Sequence, residues 1–315
     1  MKIVFLDAKS IGEDIDLSGY DALGEVVKYD FSSTEEAAER TKDADIIILN
    51  KVEINEKSIG QARNLKLVCV TATGTNNLDK DYLEERGIAW RNVAGYSTES
   101  VAQHTFAMLF YLMEKLRYYD EYVKTEKYIG DTSFTHFANR FHELSGMTWG
   151  IIGLGNIGRR VADIAKAFGC HVIYYSTSGR NTQQGYERVS FEELLRRSDI
   201  VSVHAPLDEN TMNLMNAEAF AQMKTSAIFL NVGRGPIVTE DALADALESG
   251  AIAAAGLDVL RVEPMSPENP LRRIKDSNRL LITPHIGWAS VEARTRLMNI
   301  ILGQINEFLT KEEDH

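Results

Sequence analysis

The chain has 315 residues, of which 44% are hydrophobic and 25% are charged, and only 6 are proline. This composition is that of an ordinary globular protein and excludes a fibrous or a disordered chain, and the length is enough for about two domains. The formal net charge of -12 disfavours nucleic acid and anionic membranes as partners, because contacts with phosphate need clustered lysine and arginine.

Short apolar, β-branched runs alternate with helical patterns along the chain, beginning with the N-terminal run MKIVFLD. The predicted strands cover, in chain order, residues 3–6, 46–49, 67–70, 149–152, 172–175, 200–204, 228–232, 254–258 and 280–282. Strands separated by helices form parallel sheets that are covered on both faces. The pattern therefore predicts an α/β protein.

A long helical stretch, from about Glu99 to Thr125, lies between the third and fourth predicted strands. It is apolar nearly all round, and such helices are usually buried at a domain junction. We interpret His104 within it as a core histidine with one satisfied hydrogen bond. The aromatic segment that follows predicts an irregular connection or a lip over a site, and its His136 and His142 are too weakly placed to be assigned as ligands.

Both cysteines lie in apolar contexts, Cys69 in KLVCV and Cys170 in FGCHV. They predict core packing rather than a disulfide framework, which favours a reducing compartment and hence the cytoplasm. The N-terminal run lacks the apolar core and cleavage site of a signal peptide. No apolar stretch approaches the ~20 residues of a membrane span, so no membrane association is expected.

The strongest local motif is TWGIIGLGNIGRRVADIAKAFG, with Gly153, Gly155 and Gly158 between a strand and an amphipathic helix. Glycines at this spacing and in this context are the fingerprint of a dinucleotide-binding turn. Gly153 allows the tight turn, Gly155 lets a pyrophosphate approach the backbone, and Gly158 lets the helix pack on the strand. The amides at the start of the helix then face the phosphates.

Polar side chains follow three later strands in succession: Arg234, Glu263 and His285. The carboxyl ends of parallel strands are where open α/β sheets bind ligands. A hydride-transfer enzyme acting on a 2-hydroxy acid needs such a set. A guanidinium holds the carboxylate, an imidazole moves the hydroxyl proton, and a carboxylate orients the imidazole. The alternative is that Arg234 and Glu263 pair only with one another.

The chain resembles the D-isomer-specific 2-hydroxyacid dehydrogenases over essentially its whole length. The stretches that carry the resemblance are TATGTNNLD, VAGYSTESVAQHTFAML, WGIIGLGNIGRRVA, DIVSVHAPLDENTMNLMN, FLNVGRGPIV, AAGLDVLRVEP and LLITPHIGWAS. The resemblance implies two doubly wound parallel-sheet domains. A flavodoxin-like substrate domain comprises residues 1–97 and 289–315, and a Rossmann NAD(P)-binding domain is inserted at 98–288.

At matching positions the resemblance implies that Arg234 binds the substrate, Glu263 assists and His285 is the acid/base. The other substrate-binding residues that it implies are Lys51, Thr73, Gly74 and Trp288, although Lys51 is equally explained as an exposed lysine after a strand. The implied cofactor-binding residues are Gly153, Gly155, Asn156, Ile157, Gly158, Ser176, Thr177, Ser178, Arg180, His204, Pro206, Thr211, Val232, Gly233, Asp258 and His285. Asp258 would hold the carboxamide of the nicotinamide ring. No metal is expected.

Within this family the substrate is predicted less sharply. Trp288 in HIGWAS and the compact length resemble glycerate dehydrogenases, also called hydroxypyruvate or glyoxylate reductases. Glu263, where formate dehydrogenases have glutamine, favours hydroxy-acid chemistry. Two alternatives stay open: a D-lactate-type or other 2-oxo acid reductase, and a dinucleotide-sensing scaffold like the corepressors among the relatives.

The end of the second Rossmann strand, HVIYYSTSGRN, bears on the choice of cofactor. NAD enzymes usually place an acid here, about 20 residues past the glycines, where it binds the ribose hydroxyls and repels a 2′-phosphate. This chain has Ser176, followed by Thr177, Ser178 and Arg180, which suit a phosphate dianion. We therefore predict a preference for NADP(H) over NAD(H). The alternative is that Arg180 points into solvent and both cofactors serve.

The resemblance also implies a homodimer formed largely by the cofactor domain. The helix from Glu99 to Thr125 would contribute to it, since a helix this apolar is not expected to face water. Apart from a second copy of the chain, the only expected partner is the small 2-oxo or 2-hydroxy acid.

Overall fold

The computed structural model of the chain describes residues 1–180 and 185–313. The chain folds as two compact units. Unit 1 comprises Met1–Ser97 and Ala289–His315, and unit 2 comprises Thr98–Trp288. In the described part of the chain, no helix is both long and apolar enough to cross a membrane.

The first 97 residues of unit 1 form a parallel sheet with helices between its strands. The elements are β1 (Lys2–Phe5), β2 (Glu25–Lys28), α1 (Thr34–Arg40), β3 (Ile46–Leu49), α2 (Glu56–Ile59), β4 (Leu67–Val70), α3 (Lys80–Glu85) and β5 (Ala89–Arg91). The strand order is β2-β1-β3-β4-β5, with every pair parallel. This is the flavodoxin-like doubly wound order. Every residue of β3 and β4 is buried, as expected for central strands covered on both faces.

Unit 2 contains a larger parallel sheet. Its elements are α4 (Thr98–Met113), α5 (Leu116–Lys124), β6 (Thr148–Ile152), α6 (Asn156–Ala167), β7 (His171–Tyr175), β8 (Glu187–Arg188), α7 (Phe191–Arg197), β9 (Ile200–Val203), α8 (Ala217–Ala221), β10 (Ile228–Asn231), α9 (Glu240–Ser249), β11 (Ala254–Leu257) and β12 (Leu280–Ile282). The strand order is β12-β11-β10-β9-β6-β7-β8. This is the Rossmann order with one strand added beyond β11, and the winding reverses between β6 and β9. Ligands of such sheets bind outside the carboxyl ends of the strands at that reversal.

The last helix, α10 (Val291–Glu313), belongs to unit 1. Tyr20 donates its hydroxyl hydrogen bond to the carbonyl of Met298 at 2.7 Å, and the Arg294 guanidinium pairs with Asp14. These contacts attach the C-terminal helix to the first part of the chain. Both chain ends therefore lie in one unit, with unit 2 inserted between them.

The α/β class with two parallel sheets is confirmed, and each predicted strand is present to within about one residue at its ends. The sequence analysis missed β2, β5 and β8. All three lie at the edges of their sheets, and both residues of β8 are exposed. An edge strand is covered less than a central one, so it lacks the continuous apolar run that marks a buried strand.

The stretch predicted as helical from Glu99 to Thr125 is helical, but it consists of two helices, and only the first of them has buried residues. The helix ends at Met113, and Lys115 adopts a left-handed backbone conformation with φ of 54° before a new helix begins at Leu116. The first helix is buried on one side, but α5 has no buried residue. Charged residues of α5, such as Arg117, Asp120 and Glu121, are exposed, so the stretch is not apolar all round.

Trp149 on β6 is the largest fully buried side chain of the described residues. Its ring centroid lies 4.8 Å from that of Phe106 on α4, and its indole nitrogen donates a 2.8 Å hydrogen bond to Ser202 Oγ on β9. The indole therefore joins helix α4 to two adjacent strands, directly before the glycine-rich turn.

Candidate active site

Three neighbouring strands of unit 2 bring the predicted catalytic side chains to one edge of the sheet. Arg234 follows β10, Glu263 follows β11 and His285 follows β12, and these strands are adjacent and parallel. Their carboxyl ends therefore point the same way, as the sequence analysis required.

Glu263 and His285 are in direct contact. The Oε2 atom of Glu263 lies 2.7 Å from Nδ1 of His285, and its Oε1 atom accepts a hydrogen bond from the amide of Leu260 at 2.9 Å. The two side chains keep 29% and 27% of their surface exposed, so the pair is accessible from solvent. A carboxylate only accepts hydrogen bonds, so Nδ1 carries the proton and Nε2 is directed away from Glu263.

Arg234 lies in a turn whose backbone is hydrogen-bonded by a buried side chain. Asn231, which is fully buried, donates to the carbonyl of Arg234 at 3.0 Å and accepts from the amide of Gly233 at 3.1 Å. The guanidinium donates to the carbonyl of Gly233 at 2.8 Å and is only half-buried. Val232 and Gly233 are buried beneath this turn.

The three glycines of the β6–α6 turn have different surroundings. Gly153 has φ of 90°, and a β-carbon there would lie 2.8 Å from the Ala205 backbone. A β-carbon on Gly158 would lie 2.3 Å from the carbonyl oxygen of Gly153. At Gly155, no atom of the described residues other than its chain neighbours lies within 4 Å of the added carbon. This open face and the amides that follow it, beginning with Asn156 and Ile157, form a cradle suited to a phosphate group.

Two buried polar atoms near the reversal of the sheet have no hydrogen-bond partner among the described residues. They are Oγ of Ser176, at the end of β7, and Nδ1 of His204, at the end of β9. Ser176 is 4% exposed. Burial lowers the pKa of His204 to about 3, so its imidazole is neutral at pH 7. Buried polar atoms are normally paired, so both atoms suit a bound ligand.

The loop after Ser176 contains the other residues predicted to choose the cofactor. Thr177 is half-buried, while Ser178 and Arg180 are exposed, and Ser178 Oγ accepts from the Arg180 amide. Arg188 on β8 donates to the carbonyl of Gly179 at 3.5 Å. The sequence analysis missed this second cation, because β8 is too short and too exposed to be recognised as a strand.

Pro206 and Thr211 lie in the loop after β9. Pro206 is exposed, but Thr211 is fully buried. The hydroxyl of Thr211 donates to the carbonyl of Pro206 at 2.8 Å and accepts from the amide of Asp208. Thr211 therefore holds the loop from inside, and its side chain has no exposed surface with which to line a cofactor.

Asp258 is 3% exposed and lies beneath the loop that carries His285. Its carboxylate accepts from the Thr283 hydroxyl and from the amides of Ile286 and Gly287. Trp288 is half-buried and packs on the apolar cluster formed by α4 and β6. The sequence analysis assigned Asp258 to the nicotinamide ring and did not foresee these bonds.

In unit 1 the residues predicted to meet the substrate follow β3 and β4. Lys51 and Thr73 are exposed, and Gly74 is half-buried. The buried carboxylate of Asp7 accepts from the amides of Asn50 and Lys51, at 2.8 and 2.7 Å, and so fixes the turn that carries Lys51. Asp7 was missed, although an acid directly after the first strand was visible in MKIVFLD. Across the described residues of both units, no group of three acidic, histidine or cysteine side chains is placed to hold a metal ion.

The chain is similar to known proteins over most of its length. Residues 106–287 match the family model of the D-isomer specific 2-hydroxyacid dehydrogenase, NAD binding domain. A hydroxypyruvate reductase of Blautia hydrogenotrophica is 38% identical over 315 residues, covering 98% of this chain and 97% of that protein. The chain belongs to the D-isomer specific 2-hydroxyacid dehydrogenase family. It is therefore an oxidoreductase, and its cofactor is a nicotinamide dinucleotide.

Solved structures of related enzymes have the same fold as this dehydrogenase. An acyclic imino acid reductase in complex with NADPH and D-Arg is 30% identical, with a TM-score of 0.86 over 99% of this chain and 98% of that one. A D-lactate dehydrogenase from Aquifex aeolicus, complexed with NAD and lactic acid, is 26% identical, with a TM-score of 0.83 over 99% and 96%. Similar folds thus accept both forms of the dinucleotide.

Proposed function

We propose that this dehydrogenase reduces hydroxypyruvate or glyoxylate to the corresponding 2-hydroxy acid. The observation that carries the proposal is the 2.7 Å contact between His285 Nδ1 and Glu263 Oε2 at the carboxyl edge of a Rossmann sheet. The choice of substrate is supported by the 38% identity with a hydroxypyruvate reductase over 98% of the chain.

The β6–α6 turn would hold a reduced dinucleotide, which when bound would supply the hydride for the carbonyl carbon of the oxo acid. His285 holds the proton that the carbonyl oxygen needs as it becomes an alkoxide. Because Glu263 fixes the Nδ1 proton, the ring presents Nε2 to the substrate. In the reverse direction the same nitrogen accepts the hydroxyl proton.

Arg234 is the proposed substrate clamp. A guanidinium can bind a carboxylate through two parallel hydrogen bonds, which orients the oxo acid as well as attracting it. The Asn231 side chain bonds to the Gly233 amide and to the Arg234 carbonyl, so the backbone that carries the guanidinium is fixed. Trp288, Lys51, Thr73 and the amides near Gly74 are proposed as further substrate contacts.

The residues around the sheet reversal fit a dinucleotide. The open face of Gly155 and the start of α6 would hold the pyrophosphate, and the Ser176 hydroxyl, which has no partner among the described residues, would bind a ribose. We propose that NADP(H) is preferred, since Arg180 and Arg188 lie near this loop and no acid stands at residue 176. The exposure of Arg180 also agrees with the alternative that both cofactors serve.

We further propose a cytoplasmic homodimer. Large apolar side chains are exposed in and after α5, where Ile129, Phe134 and Phe137 keep 76%, 88% and 87% of their surface accessible. Exposed apolar clusters of this kind are typical of interaction surfaces. Both cysteines are free and buried, which suits a reducing compartment.

The test is a steady-state assay of NADPH and NADH oxidation with hydroxypyruvate, glyoxylate, pyruvate and 2-oxoisocaproate. We expect the highest kcat/KM with hydroxypyruvate or glyoxylate. A preference of tenfold or more for pyruvate would favour a D-lactate-type reductase, like the structural relative that binds lactic acid. If neither NADPH nor NADH is oxidised with any of these 2-oxo acids, the proposal is contradicted. Circular dichroism of the same protein sample is the control for folding.

A further inference from the structure

His104 on α4 contacts two residues beneath the catalytic loop. Its Nε2 atom lies 3.0 Å from Thr283 Oγ1 and 3.4 Å from Asp258 Oδ1, and its side chain is 17% exposed. Thr283 Oγ1 in turn lies 2.7 Å from Asp258 Oδ1. The three side chains come from a helix and from the ends of two adjacent strands, β11 and β12.

The direction of each hydrogen bond follows from the charge of Asp258. Burial alone would raise the pKa of this carboxyl group, but hydrogen bonds from His104, Thr283 and two amides outweigh it and hold the pKa below its usual value. Asp258 is therefore ionised at neutral pH and can only accept. Thr283 must donate its hydroxyl proton to Asp258, so its oxygen accepts from His104. His104 therefore carries a proton on Nε2.

Asp258 holds the backbone on the far side of His285. Its two oxygens accept from the amides of Ile286 and Gly287, at 2.9 and 2.8 Å. Between these amides and Thr283, His285 adopts φ of 56°, a left-handed conformation that is unfavourable for a residue with a β-carbon. Such a conformation persists only where neighbouring contacts enforce it. Asp258 supplies these contacts, through Thr283 on one side and the two amides on the other.

Helix α4 also contacts the loop that carries His285. Ser100 donates its hydroxyl hydrogen bond to the carbonyl of Gly287 at 2.6 Å. A β-carbon on Gly287 would lie 2.8 Å from Asp258 Oδ2 and 3.3 Å from Cδ2 of His104, so the loop is packed tightly against both residues. Displacing His104 would therefore disturb the loop by loss of contact as well as by loss of a hydrogen bond.

We propose that His104 is a positioning residue of the acid/base site, which fixes Thr283 and Asp258 so that the loop presents His285 to Glu263. The inference rests on the proposed function of His285. It also goes beyond the expectation of a core histidine with one satisfied hydrogen bond. His104 acts through its Nε2 donor, and it need not touch the substrate or the cofactor.

Two substitutions separate the donor from the bulk of the side chain. Glutamine can place its amide NH₂ near the position of Nε2, whereas leucine fills space and donates nothing. We expect His104→Leu to lower kcat about tenfold or more, because small displacements of a catalytic group are costly, and His104→Gln to retain most of the activity. The matched control is Gln103→Leu, at an exposed position of the same helix, which should leave kcat unchanged.

A double-mutant cycle tests the route through the threonine. Thr283→Val removes the acceptor for His104, so we expect His104→Leu to cause little further loss in that background. Thermal melts of every variant separate loss of folding from loss of positioning. If His104→Leu does not fold, the same hydrogen bond can be tested at Thr283. Thr283→Ser keeps the hydroxyl that accepts from His104, whereas Thr283→Val removes it, so only the valine variant should lose kcat.

The outcomes distinguish this inference from the proposed function. Equal loss of kcat in the leucine and glutamine variants, or additive losses in the cycle, would overturn the positioning role. Normal kcat in His104→Leu, beside an inactive His285→Asn, would overturn it while leaving the proposed function intact. Normal turnover in His285→Asn would instead remove the proposed function itself.

Discussion

Replacing Gly155 or Gly158 by alanine should affect different properties, although the two residues lie in the same turn. Gly158 has no room for a β-carbon, which would lie 2.3 Å from the Gly153 carbonyl oxygen. Carbon and oxygen atoms in contact are normally about 3.3 Å apart or more, so α6 would have to move by roughly 1 Å. A β-carbon on Gly155 would have no atom within 4 Å among the described residues beyond its chain neighbours, and the φ of -82° is one that alanine adopts readily.

The expected magnitudes follow from this difference. Overpacking of this kind costs about 1–3 kcal/mol. At about 2–4 °C per kcal/mol for a domain of this size, Gly158→Ala should lower the melting temperature by roughly 2–12 °C. In Gly155→Ala the lower entropy of the unfolded chain opposes the poorer helix cap, so the melting temperature should change by no more than about 2 °C. Its methyl group would occupy the space proposed for the pyrophosphate, so cofactor binding should weaken about tenfold or more.

Differential scanning fluorimetry and titration of NADPH fluorescence measure the two effects independently. Each variant serves as the control for the other. Wild-type affinity for NADPH and NADH in Gly155→Ala would refute the proposal that phosphates approach the backbone there. A wild-type melting temperature in Gly158→Ala would refute the packing argument for the third glycine.

His285→Asn should lower kcat by about 10²-fold or more, because it removes the proton donor, while cofactor binding survives, and near-normal turnover would exclude His285 from the mechanism. Arg234→Lys keeps the charge but loses the two-pronged geometry, so kcat/KM should fall strongly, and wild-type kinetics would place the clamp elsewhere. Ser176→Asp should shift the kcat/KM ratio toward NADH by charge repulsion, while the uncharged Ser176→Asn should not; a wild type that already favours NADH by tenfold would contradict the phosphate-pocket interpretation. Light scattering at micromolar concentration should give the mass of a dimer, and a monomer would count against the proposed assembly.

Much of the fold could be predicted because its strands are buried on both faces. The runs Ile46–Leu49 and Leu67–Val70 are apolar throughout, and the predicted bounds are those observed. The edge strand Glu187–Arg188 could not be predicted in this way, since its pairing depends on β7 and not on its own composition. The helix break at Lys115 was missed because the prediction treated the apolar residues before it and the charged, exposed residues after it as one continuous helix.

The candidate site was predictable where chemistry is concentrated at the ends of strands. Glu263 and His285 lie 22 positions apart in sequence, yet successive parallel strands bring them into contact. The contacts that support them were harder to foresee. His104 and Asp258 are 154 positions apart, and nothing local in either segment indicates that a helix packs against that strand end. Residues that act through others have no motif of their own, so their roles became visible only in three dimensions.

The burial of Trp149 makes its indole an intrinsic fluorescent probe that quenchers in solution do not reach. The chain has 3 tryptophans, and Trp90 and Trp288 are only half-buried, whereas Trp149 has no exposed surface. Iodide or acrylamide in solution can therefore reach the first two indoles far more readily than the third. Emission that survives a quencher therefore comes mainly from Trp149, and a bound reduced nicotinamide should lower it, because that ring absorbs at the wavelength at which indole emits. Indole emission measured in the presence of iodide or acrylamide therefore reports dinucleotide binding without turnover and without a label.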